Sequence, residues 1–125
     1  MNNTRAEILQ ILKKEDSVND GIFTGEVIDF LELKTEDYKA RFTSFYLVQF
    51  TGLVLFDKVN LSIGISFTEC SFIEPAIFQS IIASGYDPII NPNSESIAFR
   101  KCNFSERVFI GKDCNIERTI LFEDC

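Results

Sequence analysis

The chain has no histidine, no tryptophan and a single methionine. Without histidine, the commonest general base, proton shuttle and metal ligand is missing. No Gly-x-Ser-x-Gly elbow and no catalytic Cys–His pair occurs. Glycine is sparse too, and Gly52, Gly64, Gly85 and Gly111 stand alone as turn residues rather than as a phosphate cradle. No stretch approaches the roughly 18 apolar residues that span a bilayer, so no membrane association is expected. Met1 to Lys14 lacks an uninterrupted apolar run behind a basic start, so no secretory leader is expected. Positive charge is scarce: 12 Lys and Arg face 19 Asp and Glu, for a net charge of −7. That sign argues against direct nucleic-acid binding through phosphates.

Apolar residues make up 46% of the 125, enough to build one folded domain with a core of its own. The aromatic bias is strong, with 13 phenylalanines against 3 tyrosines. Phenylalanine has no polar handle, so the bias predicts a core of stacked apolar rings. The 4 cysteines lie inside apolar motifs and lack zinc-site spacing. They read as buried, reduced thiols in a cytoplasmic protein.

Three stretches are nearly the same stretch: Ile65-Ser-Phe67-Thr-Glu-Cys70-Ser-Phe72, Ile97-Ala-Phe99-Arg-Lys-Cys102-Asn-Phe104 and Ile120-Leu-Phe122-Glu-Asp-Cys125. A degenerate copy, Thr43-Ser-Phe45-Tyr-Leu-Val48-Gln-Phe50, precedes them. The Cys or Val positions Val48, Cys70, Cys102 and Cys125 are spaced by 22, 32 and 23 residues. The long interval shortens to about 22 if roughly ten residues of Ala83–Ser96 are an inserted loop, as their Pro, Gly, Asn and Ser content suggests. Phe45, Phe56, Phe67 and Phe78 are 11 residues apart, and inward residues recur about every five, as at Phe67, Phe72, Ile77 and Ile82. Neither a sandwich strand nor a helix has that period. The pattern predicts a parallel β-solenoid of about 22 residues per coil. An antiparallel sandwich or roll is the rival.

In a solenoid, Val48, Cys70, Cys102 and Cys125 form one interior column, and Phe50, Phe72 and Phe104 the next. On the outside, Glu69 meets Lys101, Lys101 meets Asp124, and Arg100 faces Glu123, an alternation that a stacked ladder prefers. Upstream, Thr4-Arg-Ala-Glu7 followed by Ile8, Leu9, Ile11 and Leu12 predicts a short helix over about residues 4–15. Ser17 to Gly21 reads as its exit loop and Lys34 to Lys39 as a charged turn. Residues 1–20 are thus expected to be a helix and linker capping the first coil, and residues 21–125 the β-domain, with the insertion at 83–96. Docking of the helix to another protein is the alternative. The last copy stops at Cys125, where a further inward residue is due. A fragment of a longer solenoid, or an end set against a partner, is the expectation.

The couples Cys70-x-Phe72, Cys102-x-Phe104, Val59-x-Leu61 and Val48-x-Phe50 resemble the inward pair of pentapeptide-repeat proteins. The resemblance implies a right-handed quadrilateral β-helix over about residues 42–125. The spacing here slips from five to six or seven, and the usual Ala-Asp/Asn-Leu core is absent. Coils of this length also resemble the looser right-handed β-helices of the pectin-lyase type.

Candidate chemistry is thin. Glu69, Glu123 and Asp124 could form an acid cluster, but a solvated ladder is the simpler reading. The cysteine column could be a redox or metal site, but small apolar filler is the simpler reading. Tyr86, Asp87, Pro88, Ile89 and Ile90 at the tip of the insertion suit a partner, or are a tolerated insertion. The expectation is a non-enzymatic scaffold without cofactor or metal that binds another protein, with a homodimer through a solenoid end as a further expectation. Two alternatives follow from the resemblances: an acidic mimic of DNA that binds a topoisomerase, and a carbohydrate-active β-helix enzyme.

Overall fold

Among the described residues from Val18 onward, one short extended segment follows another. A computed structural model describes residues 7, 10, 18–24, 27–29, 43–61, 64–83, 95–111, 113–116 and 119–125. The strands begin with β1 (Val18–Phe23), β2 (Val27–Asp29), β3 (Thr43–Phe50), β4 (Leu53–Asp57) and β5 (Asn60–Leu61). Next come β6 (Ile65–Thr68), β7 (Ser71–Phe72), β8 (Ala76–Gln79) and β9 (Ile82–Ala83). The last are β10 (Glu95–Arg100), β11 (Asn103–Phe104), β12 (Val108–Ile110), β13 (Asn115–Ile116) and β14 (Thr119–Glu123).

These strands are all paired in parallel, which removes the antiparallel rival from the described residues. Sheet A holds β1, β3, β6, β7, β10, β11 and β14; sheet B holds β2, β4, β8 and β12; sheet C holds β5, β9 and β13. The described residues are thus nearly all β, their parallel sheets curled about one apolar core.

The repeat copies pair with one another. Phe45 lies opposite Phe67, Phe67 opposite Phe99, and Phe99 opposite Phe122. Sheets B and C follow the same steps, with Phe56 opposite Phe78 and Asn60 opposite Ile82. Small irregularities absorb the unequal spacings. A register shift in β10 falls between Glu95 and Ile97. One extra residue enters between β12 and β13, since Ile110 lies opposite Phe78 but Asn115 opposite Ile82.

Parallel stacking turns identical residues into ring columns. Phe45, Phe67, Phe99 and Phe122 stack with centroids 5.1, 5.1 and 5.0 Å apart. Phe50, Phe72 and Phe104 stack at 5.1 and 5.0 Å, and Phe56 and Phe78 at 4.9 Å. These distances follow the strand spacing, which sets the separation of stacked side chains. Between columns the rings meet edge to face, the other arrangement that the ring quadrupole favours.

Left-handed residues bend the chain within sheet A and at the turn from sheet B to sheet C. Leu47, Lys58, Glu69 and Ser80, each 11 residues apart, have φ of 57°, 56°, 52° and 51°. Lys101 and Asp124 continue the series at 55° and 56°. An L-residue there costs roughly 1–2 kcal/mol, so the neighbours must hold it. The backbone N–H groups of Lys58, Glu69 and Lys101 do so by donating to Gln79, Arg100 and Glu123 carbonyls on the next strand layer.

Several expectations change at the residue level. Phe67 and Phe72 are buried, but Ile77 is only half-buried and Ile82 is 45% exposed, so neither faces the core. Ala76, Phe78 and Ile81 take those inward places. The strands alternate at two and the corners reset the phase, so a uniform five-residue count drifts onto the outer face. The exit loop expected at Ser17 to Gly21 is mostly strand, because Val18 pairs with Phe45. The predicted helix, apart from Glu7 and Gln10, and the charged turn at Lys34 to Lys39 lie outside the described residues. The insertion is described only at its ends, where Ala83 closes β9 and Glu95 opens β10.

Candidate functional site

Of the 4 cysteines, 3 share one motif position. Val48, Cys70 and Cys102 are buried, and Cys125 is exposed. All 4 cysteines are free thiols. Each donates to a phenylalanine carbonyl one layer away: Cys70 Sγ to Phe45 at 3.4 Å, Cys102 to Phe67 at 3.3 Å, and Cys125 to Phe99 at 3.4 Å. Cys114, midway between copies, does the same to Phe78 at 3.4 Å. Cys70, Cys102 and Cys125 also lie within reach of the carbonyls of Thr68, Arg100 and Glu123. Each of these thiols is therefore a small apolar group whose weak donor is shared between two carbonyls. A hydrogen bond with Cys70, and then burial, push the Cys102 thiol well above its ordinary range. The same hydrogen bond lowers the Cys70 thiol, so Cys70 is the member of the pair that ionises first. Among the described residues no cluster of three His, Cys, Asp or Glu side chains could hold a metal ion.

The second column has Phe50 and Phe72 buried and Phe104 half-buried. The tip residues Tyr86, Asp87, Pro88, Ile89 and Ile90 lie outside the described residues.

The acid candidates sit on the outer face of sheet A. Tyr46, Thr68, Arg100 and Glu123 occupy one outward column. Arg100 Nε lies 3.6 Å from Glu123 Oε1, while Glu123 and Asp124 are exposed. A hydrogen bond to Glu69, then its charge, raises the Tyr46 hydroxyl above its usual value. Ile22, Gln49, Ser71 and Asn103 form a parallel outward column, polar except for Ile22, which is 68% exposed. The first column is polar, with its two charges, Arg100 and Glu123, of opposite sign.

Sheet B has the opposite exterior. Leu55, Ile77 and Phe109 lie opposite one another on its outer side, with Leu53 beside them on β4. The leucines and Ile77 are half-buried, and Phe109 is 59% exposed. Beyond Phe109, an open groove of about 590 Å³ is lined by Gln79, Phe109, Ile110, Gly111 and Asp113. Asp113 accepts from Ser80 Oγ at 2.5 Å and from the Ser80 N–H at 3.2 Å, which braces that left-handed corner. Gly111 permits the approach, since a Cβ there would come within 2.9 Å of Asp113 Oδ1.

Sequence reasoning missed this apolar exterior, although its signal was present. Leu53-Val-Leu-Phe56, Ala76-Ile-Phe78 and Val108-Phe-Ile110 are apolar at every position. Such runs belong to strands covered on both faces, whereas alternation belongs to strands covered on one. Among the described residues no helix is long and apolar enough to cross a membrane. Comparison with protein-family models, curated proteins and solved structures finds no match to this chain.

Proposed function

We propose that the chain is a right-handed parallel β-helix, built like a pentapeptide-repeat protein, that acts as a non-enzymatic, cytoplasmic scaffold for binding another protein. Support for the coil comes from the order of its strands. β3–β5, β6–β9 and β10–β13 each pass through sheets A, B and C in turn. Their matching positions are 22 residues apart, or 32 where the insertion intervenes. Ring columns continue through every layer of that repeat.

The observation that carries the binding role is large apolar side chains presented outward on a hydrogen-bonded ladder, Phe109 and Ile82 among them. A ladder with fixed spacing positions such groups without the ordering cost of a loop. Sheet A's mixed-sign column, Arg100 against Glu123, favours protein binding over imitation of the uniformly negative DNA backbone.

Affinity capture with cross-linking tests the reading. A reproducible partner, cross-linked to residues of the β-ladder or of the 83–96 insertion, is the expected result. Repetition with residues 84–94 deleted tells the two apart. Turnover of a substrate by the purified chain, with no captured partner, would overturn it.

A further inference from the structure

We propose that the outer face of sheet B is the docking surface for an amphipathic helix with basic flanks, supplied by another protein. The inference rests on the scaffold reading and names the chemistry of its partner.

Three observations converge. First, β4, β8 and β12 have the composition of strands covered on both sides, yet their outer side chains Leu53, Leu55, Ile77 and Phe109 are half-buried or exposed. Beyond the first layer, the neighbouring sheet A, made of the same repeats, places Thr68, Arg100 and Glu123 at comparable outward positions. In the first layer Ile22 is exposed on sheet A, and Asp29 pairs with Leu55 on sheet B. Apolarity outside is therefore not a by-product of the repeat.

Second, the rungs have the pitch of a helix. Inside sheet B the layers are 4.9 Å apart, measured between the Phe56 and Phe78 rings. One turn of an α-helix rises about 5.4 Å. A helix lying across the strands therefore brings its side chains at i, i+4 and i+7 over Leu55, Ile77 and Phe109 in succession.

Third, the borders of the stripe are mainly acidic. Glu74 and Glu106 flank it on the side where the chain enters the sheet, and Asp57 and Asp113 on the side where it leaves. Lys58 and Arg107 oppose them, so carboxylates outnumber cations among the described flanking residues. With a net charge of −7 behind them, these borders favour Lys or Arg on either side of the partner's apolar face.

The probe is a synthetic helical peptide of about fifteen residues, with Leu at i, i+4, i+7 and i+11 and Lys on both flanks. Two controls have Glu in place of Lys, or the same residues scrambled. Binding is followed by fluorescence anisotropy at low and high salt. The Lys-flanked helix is expected to bind at least about tenfold more tightly than either control. Ile77→Ser with Phe109→Ser should weaken it at least about tenfold. Glu74→Lys with Glu106→Lys should weaken it several-fold and flatten the salt dependence. These side chains are exposed or half-buried, and an unchanged circular-dichroism spectrum and melting curve verify that each variant is folded.

Unchanged affinity in the Ile77/Phe109 variant would overturn the proposal, as would equal binding of the scrambled peptide. Loss of binding in Tyr46→Ser with Thr68→Ala, on sheet A, would move the site and leave the scaffold reading standing. A self-associated chain that Phe109→Ser dissociates in sedimentation would assign the face to a second copy instead. If no peptide binds while captured partners still cross-link to the ladder elsewhere, the docking face fails and the scaffold survives. Absence of any captured partner is the separate result that removes the scaffold.

Discussion

Sheets A and B have one interior and two exteriors. Inside, Phe45, Phe67 and Phe99 stack in sheet A as Phe56 and Phe78 stack in sheet B, and the two columns interlock edge to face. Outside, sheet A presents Tyr46, Thr68, Arg100 and Glu123, whereas sheet B presents Leu55, Ile77 and Phe109. The interior of a repeated layer has little freedom, because each ring must fit the ring above and below. An exterior position answers to water alone unless something covers it. The contrast therefore teaches that the interior reports how the chain folds, and the exterior is where function can be sought.

The largest effects should come from the shared interior. Phe67 touches rings in both sheets, stacking on Phe45 and Phe99 and meeting Phe56 and Phe78 by their edges. Phe67→Ala is expected to cost about 3–5 kcal/mol, near the total stability of a small domain. Phe78→Ala should cost a similar amount, while Phe109→Ser on the outside of the same sheet should change stability by under about 0.5 kcal/mol. Urea unfolding followed by circular dichroism reads all three. A small loss for Phe78→Ala would break the equivalence of the two interiors.

Next in size is an alkaline effect confined to the interior. Cys102 is held above the ordinary thiol value of 9.0 by its hydrogen bond with Cys70 and by burial. Above that value the unfolded chain releases the proton while the folded chain keeps it. Stability should then fall as pH rises beyond about 9, by up to about 1.4 kcal/mol per pH unit from this group. Below that value it should first rise with pH from Cys70, which the same hydrogen bond lowers. The Cys102 contribution is fully present below the unfolded value. Melting temperatures between pH 8 and 10.5 measure the slope, and Cys102→Ala should flatten it. An equal slope in that variant would assign the effect to other groups.

The same division explains what the sequence made legible. The copies around Cys70, Cys102 and Cys125 announced parallel layers because stacking puts the same residue in the same place. The Arg100–Glu123 contact was readable for the same reason. Ile77 and Ile82 were misplaced because the corners interrupt the phase. Before Ile82 that corner is Ser80, left-handed without the glycine that marks such sites; before Ile77 it is the turn through Ile73 to Pro75, whose φ is not left-handed. The docking stripe on sheet B was hidden among apolar runs, where only the backbone tells the covered side from the open one.

The corners give a smaller prediction. Lys101 sits at φ 55° and donates its N–H to the Glu123 carbonyl at 2.8 Å. Lys101→Gly removes the Cβ conflict, worth roughly 1–2 kcal/mol, and adds roughly 0.5–1 kcal/mol of unfolded-state entropy. A net gain of a few tenths to about 1 kcal/mol is expected in urea unfolding. Lys101→Val should lose stability, since a β-branched residue is a poor fit to that backbone. Lys58→Gly, at the sheet B corner, should match Lys101→Gly if the two corners are equivalent.

The smallest effect concerns the polar exterior itself. Arg100 and Glu123 approach to 3.6 Å with side chains 26% and 55% exposed. Water screens such a pair, so a double-mutant cycle with Arg100→Ala and Glu123→Ala should give a coupling below about 0.5 kcal/mol. Added salt near 1 M should remove most of it. On sheet B the cycle between Leu55→Ala and Ile77→Ala should be insensitive to salt, because that contact is apolar. A coupling above about 1 kcal/mol for the ion pair would make sheet A's exterior part of what holds the layers together. The two exteriors would then differ in how they stabilise the fold, and the apolar face of sheet B would lose its claim to be the exception.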